Sequence, residues 1–266
     1  MNHRIQSLTQ MLPQGVDGVL ITSGVNRHYL TGMRSSAGHL LITRDGAWAI
    51  FDFRYIEAAR KTVKDCEVIL QDKLEEQLRE LVKAHNIHTL ALEPTYQTIG
   101  EMNRFQKMLP QVEFLTDDRV DRAILELRKI KDKGELEAIR VAQSITDKSF
   151  GEMLNFIRAG LTEQEVAAEL EYRMKKNGAG GLAFETICVA GPNSSMPHGV
   201  PGGRPLQAGD FLTMDFGAAF EGYCSDMTRT VAIGHVTEEM EKVYHLVLEA
   251  QLAAMAKIAP GVSCAA

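Results

Sequence analysis

The 266-residue sequence predicts an α+β protein in two domains, an α/β unit followed by helices that lead into a strand hairpin. Three observations carry this. Short apolar runs bounded by Gly, Ser and Asn alternate with helical spacing through the first part of the chain. A charged stretch, Leu127-Arg128-Lys129-Ile130-Lys131-Asp132-Lys133, then intervenes, and such exposed segments are where few contacts cross. Beyond it, two helical patterns give way to strand-like sequence around Met214–Thr230.

The elements follow in order. Val16–Thr22 (VDGVLIT), Leu40–Thr43 (LLIT) and Ala47–Phe53 (AWAIFDF) read as strands. Leu74, Leu78, Leu81 and Val82 recur at helical spacing over Leu74–Ala84. Leu90–Leu92 returns to strand character, so the sheet is mixed or parallel. Asp132-x-x-Glu135 opens a helix with Leu136, Ile139, Ala142 and Ile145 on its apolar face. Thr162-x-x-Glu165 opens a second, with Val166, Leu170 and Met174 inward, and Gly178–Gly181 ends it. Phe184–Ala190, Phe211–Phe220 and Gly222–Ile233 read as strands. A last helix, Glu238–Ile258, carries Tyr244, Val247, Leu248, Leu252 and Met255 along one face and stops at Pro260-Gly261.

Composition narrows the class. Hydrophobic residues at 45% and charged residues at 24% exclude a disordered or fibrous chain. A net charge of −6 argues against nucleic acid as a partner. No apolar run approaches the ~20 residues that span a bilayer. Met1–Gly15 is polar and has no signal-peptide core, so the expected location is the cytoplasm, away from membranes. Cys66, Cys188, Cys224 and Cys264 form no C-x-x-C pair and read as reduced thiols. The histidines form no H-x-x-x-H pair, and G-x-S-x-G, P-loop and G-x-G-x-x-G patterns are all missing from the sequence.

The chemistry concentrates in Met214–Thr230, MDFGAAFEGYCSDMTRT. With Phe220-Glu221 at a hairpin tip, Asp215 opposes Asp226, Gly217 opposes Cys224 and Ala219 opposes Gly222. Directly opposed side chains share a sheet face with Cβ atoms ~5 Å apart. Two carboxylates so placed repel unless they share a proton or a cation. Oxygen ligands suit manganese, magnesium or calcium, with cobalt, iron and zinc entering where imidazole joins. The competing reading is a different register, leaving one Asp solvated at a strand end; Gly217 and Gly222 mark bulges that could shift the pairing. Upstream, Gly191-Pro-Asn-Ser-Ser-Met-Pro-His198-Gly is a loop by composition. His198 there either reaches a bound substrate or is a solvated loop histidine.

Asp215-Phe-Gly…Gly222-Tyr-Cys-Ser-Asp226-Met-Thr-Arg-Thr230, with Pro197-His198-Gly199, resembles the pita-bread metallopeptidases: Xaa-Pro dipeptidases, Xaa-Pro aminopeptidases and methionine aminopeptidases. Leu127-Arg-Lys-Ile-Lys-Asp…Glu137-Ala-Ile-Arg is similar to the linker and first helix of their catalytic domain. Asn26-Arg-His-Tyr-Leu-Thr-Gly32 and Phe51-Asp-Phe-Arg-Tyr55 are similar to their creatinase-like N-terminal domain, which favours the Xaa-Pro branch. The resemblance implies a creatinase-like α/β domain over residues 1–127 and the first half of a pita-bread catalytic domain over residues 128–266.

It further implies that Asp215 chelates one metal ion, that Asp226 bridges two, and that His198 binds at the substrate carbonyl. The cofactor would be two divalent ions, manganese first, with cobalt, zinc or iron as substitutes. The substrate would be a peptide with proline in second position, and the assembly a homodimer. The family's remaining His and two Glu ligands lie downstream of the last helix, whereas this sequence stops at Ala266, so little peptidase activity is expected of it. Two other readings stand beside this one: a non-catalytic pita-bread binding or scaffold protein, and a metal-free creatinase-like hydrolase.

Overall fold

A computed structural model describes residues 2–264; Met1, Ala265 and Ala266 lie outside the described residues. The chain divides into two compact units, Met1–Lys131 and Asp132–Ala266.

The first unit runs α1 (His3–Met11), β1 (Gly18–Ile21), α2 (Gly24–Thr31), β2 (His39–Thr43), β3 (Ala47–Phe51), α3 (Ile56–Thr62), β4 (Glu67–Leu70), α4 (Leu74–Ala84), β5 (Thr89–Ala91), α5 (Ile99–Met108), β6 (Glu113–Leu115) and α6 (Arg119–Lys129). Its six-stranded sheet has the order β4-β3-β2-β1-β5-β6. The sheet is mixed: β2 is antiparallel to both β1 and β3, whereas β3·β4, β1·β5 and β5·β6 are parallel. Helices cover both faces, which is why the strands read as unbroken apolar runs. Val19, Ile21, Leu40 and Ile42 pack with Ile5, Leu30 and Ile124. Leu20, Leu41, Trp48 and Ile50 pack on the opposite face with Leu78, Val82 and Phe105.

The Asn26–Gly32 motif has a structural cause. Glu93 is fully buried and accepts hydrogen bonds from Ser23 Oγ (2.8 Å), Asn26 Nδ2 (2.7 Å) and the Ser23 amide (3.0 Å), which ties α2 to the end of β5. Gly32 caps α2 with φ 73°, a left-handed conformation that glycine adopts without a Cβ penalty. The charged stretch beginning at Leu127 is part helix: α6 runs to Lys129, placing Arg128 and Lys129 in its last turn, where the helix dipole favours cations.

The second unit opens with α7 (Lys133–Met153) and α8 (Glu163–Lys176). Both start at the expected capping boxes, Asp132 with Glu135 and Thr162 with Glu165. There follow β7 (Gly181–Leu182), β8 (Ile187–Ala190), a 3-10 turn over Gly191–Ser195, β9 (Phe211–Phe216), β10 (Ala218–Phe220), β11 (Tyr223–Cys224), β12 (Met227–Ala232) and α9 (Glu238–Lys257). Two three-stranded sheets form, β12-β9-β8 and β11-β10-β7. Leu212, Met214 and Phe216 turn inward from β9 to pack with Val166, Leu170 and Met174 of α8.

One expectation, the hairpin register, is corrected here. Asp215 opposes Thr228, not Asp226, and Ala219 opposes Cys224, not Gly222. The tip is Glu221-Gly222, with φ of 49° and 89°. A two-residue type I′ turn requires positive φ at both central positions, and Gly222 supplies the second freely. A tip at Phe220 would have forced an aromatic residue into that region. The helix α9 forms where expected and carries its apolar face in the open: no residue of it is buried, Val247 and Met255 are 63% and 59% exposed, and Tyr244 meets the Phe211 ring at 6.2 Å. Among the described residues, no helix is long and apolar enough to cross a membrane.

Candidate functional site

The site is built on β9. Its alternation sends Leu212, Met214 and Phe216 to the core and Thr213 and Asp215 to the opposite face. Asp226 lies in the break between β11 and β12. That break is pinned from below. Ser225 Oγ accepts from the Ala218 amide (2.9 Å) and meets Thr146 Oγ1 of α7 (2.6 Å). Gly217 admits the strand crossing, since a Cβ there would lie 2.0 Å from the Ser225 carbonyl oxygen. Because the register differs from the expected one by an even number of residues, Asp215 and Asp226 keep the same face parity.

Asp215, Asp226 and His198 line one cavity of about 830 Å³. Gln164, Ala167, Ala168 and Glu171 form a second wall. Their spacing marks a stripe along α8 that adjoins its buried face, with Ala167 packing beside Val166, Leu170 and Met174. Asp215 is half-buried, and its Oδ1 is buried with no hydrogen-bond partner; Asp226 and His198 are exposed. An ionised carboxylate oxygen kept from water and unpaired is costly, so this atom calls for a cation or a donor in the cavity. The donor set therefore fits a hard divalent ion, but only in part. Among the described residues no group of three or more His, Cys, Asp or Glu gathers to hold a metal.

Several cavity residues carried no recognisable sequence signal. Thr186 is 7% exposed, and its Oγ1 is likewise buried without a partner. It precedes Ile187, which pairs with Asp215 across β8 and β9, so two orphaned oxygens sit on one cavity. Nothing local distinguishes this threonine. Gln164 and Glu171 could have been found as the polar side of an amphipathic helix. Burial pushes the Cys188 thiol up to about 12, so it stays protonated and is no nucleophile. The described cysteines are all unpaired.

Residues 137–266 match the description "Metallopeptidase family M24", and residues 4–130 match "Creatinase/Prolidase N-terminal domain". The chain is 34% identical over 265 residues to the Xaa-Pro dipeptidase of Pyrococcus furiosus, covering 99% of this chain and 74% of that protein. Among solved structures it resembles an Xaa-Pro dipeptidase from Bacillus anthracis (TM-score 0.88, 36% identity, 94% of this chain and 70% of that one). It also resembles an X-Pro aminopeptidase from Thermotoga maritima MSB8 (TM-score 0.84, 35% identity, 89% and 68%). The expected fold class thus holds, and the chain belongs to metallopeptidase family M24, with a creatinase/prolidase N-terminal domain ahead of its pita-bread catalytic fold.

Proposed function

We propose that this chain carries the Xaa-Pro half-site of an M24 peptidase, acting on the bond before proline. Asp215 and Asp226 are its metal ligands and His198 its contact to the substrate carbonyl. The observation that carries the reading is the orphaned Oδ1 of Asp215, in the same cavity as Asp226 and His198. A divalent ion bound there supplies Lewis acidity and lowers the pKa of water. Manganese is the first choice because both donors are carboxylate oxygens. Asp215 offers an oxygen already stripped of water. Asp226 offers a solvated one that can reorient. His198 can donate an N–H to a peptide carbonyl. Ala167, Leu182, Val200 and Pro201 give the cavity an apolar side against which a proline ring can rest. Four free cysteines suit the reducing conditions of the cytoplasm.

Two carboxylates alone hold a hard cation weakly, roughly in the millimolar range. The test is therefore a titration of the chelator-treated protein with manganese, followed by melting temperature and by hydrolysis of an Xaa-Pro dipeptide. We expect stabilisation that saturates only at high manganese, slow manganese-dependent cleavage, and loss of both in Asp215→Asn and Asp226→Asn. A cation response with no hydrolysis would favour the binding-protein alternative. No cation response in the unsubstituted protein would overturn the metal assignment.

A further inference from the structure

We propose that Glu163 is a positioning residue that holds His198 at the cavity by clasping both ends of its loop with one buried carboxylate. This rests on the reading of His198 as the substrate contact. Glu163 is the first residue of α8 and is 0% exposed. Its Oε1 accepts from the Ala190 amide (2.8 Å) and from Asn193 Nδ2 (3.0 Å). Its Oε2 accepts from the Gly202 amide (2.9 Å). Ala190 ends β8 and Gly202 lies beyond His198, so the two oxygens bracket the whole loop. The main chain closes the same clasp: the Glu163 amide donates to the Arg204 carbonyl (3.1 Å) and the Gln164 amide to the Gly202 carbonyl (3.1 Å).

The chemistry selects a carboxylate. Three N–H donors converge on it, which only an acceptor-only group satisfies throughout. Burial of an ionised carboxylate is costly unless it is paired or hydrogen-bonded. Here three donors and the positive end of the α8 dipole meet that condition. A glutamine would turn its NH2 group toward at least one of the donors. Inside the loop, Gly199 donates to the Met196 carbonyl (3.1 Å), and a Cβ on it would lie 2.8 Å from Val189 Cγ1. His198 thus sits between a seat on β8 and the clasp. Glu163 also begins the helix whose next turns wall the cavity through Gln164, Ala167 and Glu171. One residue therefore sets the histidine loop and the facing wall relative to each other.

The test compares the full chain with Glu163→Gln, with His198→Ala, with their double variant, and with the milder Asn193→Ala, which removes one donor and leaves the carboxylate bonded at both backbone ends. Amide hydrogen exchange is read over residues 190–202 against β9, and manganese-dependent turnover of an Xaa-Pro dipeptide is measured alongside. We expect exchange at Ala190 and Gly202 to rise at least tenfold in Glu163→Gln and less in Asn193→Ala, with β9 unchanged. Turnover in Glu163→Gln should fall through kcat, as in His198→Ala, and the double variant should be no slower than the slower single one. A purely structural role would raise exchange across β9 too and make the two losses multiply. Loop exchange unchanged in both Glu163→Gln and Asn193→Ala, or multiplying losses, overturns the proposal. If His198→Ala leaves turnover intact, the reading of His198 fails, while loop exchange still decides the clasp.

Discussion

At the scale of single residues, two buried polar atoms make opposite predictions. His39, at the start of β2, is held neutral: burial first, and the charges of Arg27 and Arg104 next, lower its pKa from 6.5 to about 4, against a smaller opposing effect of Glu101. Its Nδ1 is buried without a partner, and its ring meets Phe105 edge-on at 6.0 Å. Between pH 6.5 and 4 the unfolded chain binds the proton and the folded one does not. The stability that the neutral ring preserves is therefore fully present above pH 6.5 and lost as pH falls toward 4. The swing approaches about 3 kcal/mol. Denaturant titrations across that window should show it, and His39→Leu should flatten the slope. Asp215 behaves the other way. Its orphaned oxygen stabilises nothing without a cation, so in chelator Asp215→Asn should leave the protein as stable or raise stability by up to about 1 kcal/mol. A loss of more than that would mean the carboxylate already has a partner in solution.

At the scale of elements, the hairpin that carries the carboxylates is set by its turn. Glu221 is a non-glycine residue at φ 49°, which costs energy that asparagine or glycine would relieve. Glu221→Asn should raise stability by about 0.5–1 kcal/mol without altering cation binding. Gly217 is the opposite case. An added methyl would collide with the Ser225 carbonyl, and a main-chain group cannot rotate away. Gly217→Ala should cost about 1–3 kcal/mol and weaken the manganese response, because the same contact places Asp226. Thermal melts with and without manganese separate the two effects. Helix starts were legible because a capping box is local: Thr162 and Glu165 satisfy each other's amides within one turn. The hairpin register was less so, since two candidate tips differ by one residue and the deciding quantity, backbone φ, is written only in the position of Gly222.

At the scale of the whole molecule, each unit owns its core. The two clusters on either face of the six-stranded sheet draw only on residues up to Leu127, and the cluster beneath β9 draws only on residues from Val141 onward. A fragment of residues 1–131 should therefore fold cooperatively and keep the acid sensitivity of His39; circular dichroism and denaturant titration of that fragment check it. A chain that expands and binds a hydrophobic dye instead would show that the first unit depends on the second. The chain spans 74% of the Pyrococcus furiosus dipeptidase and 70% of the Bacillus anthracis structure.

What the sequence by itself determined was local. It marked the starts of α4, α7, α8 and α9, the strands β1, β2, β3 and β5, and the shared parity of Asp215 and Asp226, because each depends on neighbours within a turn or a hairpin. The motif around Asp226 also carried the family. The tertiary structure alone decided the rest. Glu163 is a favourable first-turn residue on paper, yet in the fold its carboxylate meets Ala190, Asn193 and Gly202. Thr186 looks like any strand-edge threonine until the cavity closes around it. His198 lines the same cavity as the aspartates only because α8 and β8 hold its loop there. These partners lie 27 or more residues from Glu163, and no periodicity spans that distance: the contacts form through packing of a shared core, which sequence pattern predicts as burial and not as pairing.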